Sequence, residues 1–188
     1  METGKKNYFK FTLALVLCLF ARLIPFRAPN IEPILATTMP IGRAFGVLSG
    51  FSFAVLSILL YDLTTHTLGV QTIFTVVAYG ILGLWSAVYF KKDRGNIKGY
   101  VSFAIMGTLF FDVLTGLTVG PIFFHQSFIQ SLIGQIPFTA LHLVGNVAFA
   151  IILSPAIYSL LIKKKTCLPV GRKKKILPPI IILNPKTI

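Results

Sequence analysis

The side chains with chemistry to offer are few. The chain of 188 residues has five acidic residues and three histidines. Glu32, Asp62 and Asp112 border or lie within apolar runs. His66 follows Asp62 by one helical turn, and His142 precedes Asn146 by one turn. His125 opens a polar stretch with Gln126, Gln130 and Gln135. Ionisable groups placed within apolar helices cost several kcal/mol unless paired or wetted, and they mark binding sites or proton paths. Such a set could bind a cationic or donor-rich solute. It could also share a proton between two carboxylates, or gather histidines around a metal.

The catalytic options narrow on motif. Tyr61-Asp62 is the type of pair used by intramembrane aspartyl proteases, but Asp112 follows Phe110-Phe111 where that chemistry has Gly-x-Gly. His66, His125 and His142 lack metal-ligand spacing, so no metal and no cofactor is expected. There is no glycine loop for phosphate and no ATPase motif. An enzyme built on Asp62, His66 and His142 is the alternative to a binding protein, and a non-transporting structural membrane protein is the other.

These residues need elements to hold them. Hydrophobic residues make up 55% of the chain and charged residues 12%, against roughly 25% charged in soluble domains. Apolar runs near 20 residues, the length that spans a bilayer as helix, recur along it. The expected fold is an all-α integral membrane protein, a six-transmembrane-helix bundle. Its helices are expected at Tyr8–Ile24, from Pro33 to Arg43–Gly46, and at Val47–Thr65, Val70–Phe90, Gly99–Val119 and Phe138–Ile162. Pro40 should kink the second helix, with Thr37 and Thr38 taking the freed carbonyls. The lysine-led N-terminus resembles a signal peptide but ends in Arg22, Pro25 and Arg27, so it reads as a retained helix.

The net charge is +13. Its placement argues against nucleic acid: sixteen of the eighteen Lys and Arg fall in segments that share one side when both termini lie inside. Only Arg22 and Arg27 lie on the other. Every loop then obeys the positive-inside rule, which predicts a multi-pass protein of the cell membrane, both termini cytoplasmic, embedded in a lipid bilayer. Residues 1–162 form the membrane domain, and 163–188 a basic, proline-containing cytoplasmic tail expected to be disordered. Cys18 and Cys167 are too far apart in this topology to pair.

Three further features stand out. Residues 121–137 sort apolar and polar side chains onto two faces, an amphipathic outer segment before helix 6, either interfacial or an extension of that helix. Phe51–Thr65 and Val101–Thr115 align at an offset of 50, with Ser52/Ser102, Phe53/Phe103, Ala54/Ala104, Leu59/Leu109, Asp62/Asp112 and Thr65/Thr115 coinciding. This is a parallel repeat of helical hairpins. Ala14, Cys18 and Ala21 form a stripe of small residues on helix 1, suited to close helix approach.

The segments RLIPFRAPNIEPILATTMPIGRAFG, YDLTT, FFDVLTG and GQIPFTALHLVGN, with the six-helix pattern and the helix 1 stripe, resemble the substrate-binding (S) component of energy-coupling-factor (ECF) type vitamin and micronutrient transporters. The likeness runs from about Lys10 to Lys164. It implies capture of a small-molecule substrate at the outer face. Delivery would pass through a transmembrane coupling subunit driven by two ATPase subunits. Ala14 matches the first alanine of the family's docking motif and Cys18 replaces the second. The substrate site is then expected among Asn30, Glu32, Asp62, His66, Asp112, Thr115, Gln126, Gln130, Gln135 and His142. Asp62 and Asp112 should lie close together under the glutamine face.

Overall fold

The computed structural model describes residues 2–25, 31–91 and 95–162. Asn30 and the basic tail lie outside the described residues. The described chain is all-helical, with six helices: α1 (Glu2–Leu23), α2 (Ile34–Phe45), α3 (Val47–Thr64), α4 (Val70–Phe90), α5 (Ile97–Phe123) and α6 (Phe128–Leu161). Helices α3 to α6 are each long and apolar enough to cross a membrane.

Helix α2 differs from the expected span. Its 12 residues rise only ~18 Å, short of the ~30 Å hydrocarbon core. Ile34–Gly42 are all buried, because α3, α4 and α6 enclose them. Pro40 has no N–H, so the Ala36 carbonyl four residues back loses its helical donor. Thr37 and Thr38 do not supply one, since their hydroxyls donate to the Pro33 and Ile34 carbonyls. Ser154 of α6 does, donating to the Ala36 oxygen at 2.7 Å in the buried core.

Glycines set how closely these helices pack. A Cβ on Gly83 would stand 2.4 Å from the Gly50 carbonyl oxygen, and one on Gly50 would stand 3.1 Å from the Gly42 Cα. Helices α2, α3 and α4 therefore cross backbone to backbone.

The repeat is visible in the packing. Helix α3 packs chiefly on α4, and α5 on α6. The pairs Phe53/Phe103, Ala54/Ala104, Ser57/Gly107 and Ile58/Thr108 are all buried, each the same distance from its aspartate. Helix α2 fills the space between the two hairpins.

Both described chain ends lie at one end of the bundle, where Lys10 Nζ donates to the Leu161 carbonyl. Arg43 ties α2 into this end, donating to the Gly95 carbonyl at 2.9 Å and the Tyr100 hydroxyl at 3.2 Å, with its guanidinium over the Tyr158 ring. Glu32, Asp62 and His142 belong to the opposite end.

Residues 121–137 divide between two helices. Pro121–Phe123 finish α5, and Phe128 onward is continuous with α6. Ser127 and Gln130 form the capping box that starts α6, each side chain bonding the other's backbone N–H. The amphipathic segment is thus an extension of α6, the second of the two forms expected.

The Ala14–Cys18–Ala21 stripe faces inward. Cys18 is 4% exposed and Ala14 packs against the core. The face that α1 turns outward carries Leu13, Leu17 and Phe20. Small residues let α1 sit close on α3, so the stripe serves packing within the bundle rather than an outward docking face.

Candidate functional site

A cavity of about 240 Å³ lies at the end of the bundle opposite the basic one. Five helices and the α3–α4 turn build it. The carboxyl ends of α1 and α3 bring Arg22 and Asp62, Glu32 precedes α2, and the first half of α4 brings Gln71, Thr75 and Tyr79. Phe111 comes from α5, and Phe138 and His142 from α6. Thr67 completes it from the turn.

Arg22 is only 6% exposed. One guanidinium nitrogen donates to the Ser57 carbonyl at 2.8 Å, and another meets both Glu32 oxygens at 3.4 Å. The guanidinium stacks 3.8 Å over the Tyr61 ring. A buried charge needs such partners. Arg22 and Glu32 thus neutralise one another on one wall of the cavity.

Asp62 is held differently. Its Oδ2 accepts from Thr72 Oγ1 at 2.6 Å, in the first turn of α4, where the positive end of the helix dipole favours a carboxylate. No cation pairs with it among the described residues. His66, expected beside it, is exposed. It sits at φ 57 where the chain turns out of α3, and the turn carries it away from the cavity.

His142 is the polar group of the far wall. Its Nδ1 lies 2.7 Å from Asp112 Oδ1. The edges of Phe111 and Phe138 meet its ring at centroid distances of 5.5 and 5.8 Å. Asp112 is 1% exposed and does not line this cavity. It stands behind His142, at the foot of an apolar groove between α5 and α6. The two aspartates therefore do not share one cavity, and the expected closeness is replaced by a relay: Asp62 faces the cavity and Asp112 reaches it through His142. The repeat explains the difference. Thr72 takes Asp62 on α4, whereas His142 takes Asp112 on α6.

The glutamine face does not close over these residues. Gln126, Gln130 and Gln135 line a separate cavity of about 420 Å³ with Gly116, Ser131 and Gly134. Gln130 is engaged in the α6 cap, Gln126 accepts from Ser131 Oγ, and Gln135 donates to Thr139 Oγ1. Thr115 donates to the Phe111 carbonyl within its own helix. Of the expected site residues, Glu32, Asp62 and His142 line the first cavity directly.

Several lining residues escape motif reading. Gln71, Thr75 and Tyr79 recur every four residues on one face of α4, a polar stripe in an apolar helix that the periodicity of 3.6 makes legible. Arg22 was marked only by being a cation on the side where cations are scarce.

No protein-family model matches the chain, and neither does any curated protein or solved structure. The functional reading rests on the geometry of the site.

Proposed function

We propose that this protein is the substrate-capture subunit of an ECF-type importer, binding a small polar micronutrient from outside and passing it to a coupling subunit and ATPases. The supporting observation is the polar cavity at the bundle end opposite the basic residues. With the basic end cytoplasmic by the positive-inside rule, the cavity faces out. Six crossings follow in this reading. Helix α2 needs no match to the bilayer thickness, because protein rather than lipid surrounds it.

Arg22 and Glu32 offset each other, so Asp62 gives the cavity a net negative wall. A volume of about 240 Å³ lies just below the usual range for drug-sized ligands. A compact solute that is cationic or rich in hydrogen-bond donors fits both. The alternative enzyme, using Asp62, His66 and His142, loses its support because His66 stands outside the cavity.

The test is purification of the tagged protein with its membrane partners, followed by mass spectrometry of co-purified small molecules. Recovery of a coupling subunit, with a solute that Asp62→Asn releases, supports the reading. A protein that carries neither solute nor partner sinks it in favour of a structural role.

A further inference from the structure

Two buried polar atoms between α5 and α6 have no partner: Asp112 Oδ2 and Asn146 Oδ1. Their residues are each 1% exposed. An unsatisfied buried group costs about 1–3 kcal/mol, so two in one seam call for an explanation. The residues around them are in register. Thr108 and Asp112 lie one turn apart on α5, and Asn146 and His142 lie one turn apart on α6. Asn146 Nδ2 is 2.8 Å from Thr108 Oγ1, and His142 Nδ1 is 2.7 Å from Asp112 Oδ1.

A half-turn of the Asn146 amide exchanges its oxygen and nitrogen without changing its shape. The Thr108 hydroxyl then donates to Asn146 Oδ1. Asn146 Nδ2 then becomes a free donor in the seam that holds the orphaned Asp112 Oδ2, one turn nearer the cavity. The rotation gives Asn146 Oδ1 its partner and offers the Asp112 orphan a donor. A carboxylate held at both oxygens accepts at Oδ1 the proton that His142 donates.

We propose that the Thr108–Asn146–Asp112 chain fixes His142 with its proton on Nδ1, so that Nε2 enters the cavity as an acceptor and the ligand meets it with an N–H or O–H. None of the described residues bonds Nε2, and His142 lines the cavity while Asp112 does not. In a neutral imidazole, a donor at one nitrogen makes the other an acceptor. The ring cannot turn over without breaking its bond to Asp112, and the Phe111 and Phe138 edges flank it. Thr108 and Asn146 are positioning residues. The ligand's chemistry rests on the cavity being a binding site, whereas the tautomer does not.

The experiment is 15N NMR of histidine-labelled protein in lipid nanodiscs at neutral pH, with His142 assigned by loss of its signal in His142→Gln. The expected result is a neutral ring protonated at Nδ1. A proton on Nε2, or a doubly protonated ring, overturns the proposal. Asn146→Leu should shift the tautomer ratio toward Nε2–H by about fivefold, the effect of one neutral hydrogen bond. Thr108→Val, which keeps the side-chain shape, should move it the same way, and Thr108→Ser should leave it unchanged. A ratio unmoved by both Asn146→Leu and Thr108→Val overturns the positioning role. Titration with methylammonium should shift the Nε2 resonance and titration with acetate should not. A shift with acetate alone, or with neither probe, overturns the donor-ligand assignment while the tautomer result stands separately.

Discussion

The His142 imidazole and the Asp112 carboxylate meet at 2.7 Å with neither residue more than 4% exposed. The pair joins α5 to α6 and gives the cavity its only histidine. Removing Asp112 leaves the buried His142 N–H without an acceptor, which costs about 1–3 kcal/mol. Asp112→Leu should therefore lower unfolding stability in detergent by ~2 kcal/mol. The double variant Asp112→Leu/His142→Leu should recover part of that loss, because no unpaired buried N–H remains. Equal losses for single and double variants would show that the two side chains do not act as a pair.

Ser154 carries a second, independent dependence. Its hydroxyl is the donor that the Ala36 carbonyl lacks because Pro40 follows four residues later. Ser154→Ala should cost ~1–3 kcal/mol by leaving that buried carbonyl unsatisfied. In a Pro40→Ala background, where the backbone regains its own donor, the same change should cost far less. A Ser154→Ala penalty that is the same in both backgrounds would break the link between these residues.

The sequence shows the helices and the polarity of the bundle clearly, because apolar length and the placement of Lys and Arg are one-dimensional signals. It shows α2 less well. Residues 34–45 are apolar but fewer and less apolar than those of α3 to α6, and their enclosure by three other helices is not written in the run itself. The site was half legible. Asp62 and Asp112 match across the repeat, yet their environments diverge through their partners, Thr72 and His142, which lie outside the aligned segments. Which side of α1 faces in was not legible, because its small-residue stripe and its large apolar residues are equally compatible with contact.

The orientation of α1 is testable by size. Cys18 is 4% exposed and Leu17 is 59% exposed. Cys18→Trp should overpack the α1–α3 contact by ~1–3 kcal/mol or more and broaden the gel-filtration profile. Leu17→Trp should leave both stability and profile unchanged, since an aromatic side chain on the outward face meets lipid. If Leu17→Trp proved the disruptive one, the inward assignment of the stripe would be reversed.

The last prediction concerns which end of the bundle faces out. Leu68, in the turn between α3 and α4 beside the cavity residue Thr67, is 54% exposed. Lys91, at the other end of α4, is also exposed. The 21 residues of α4 rise ~31 Å, enough to put these two positions on opposite faces of a bilayer. Cys18 is buried and should stay unlabelled, and Cys167 is replaced by serine for the experiment. In intact cells a membrane-impermeant maleimide should then label Leu68→Cys. It should label Lys91→Cys only after permeabilisation, because the proposed orientation puts the basic end in the cytoplasm. The reverse pattern would place the cavity on the cytoplasmic side and exclude capture from outside. Labelling of both positions in intact cells would mean that α4 does not cross the membrane.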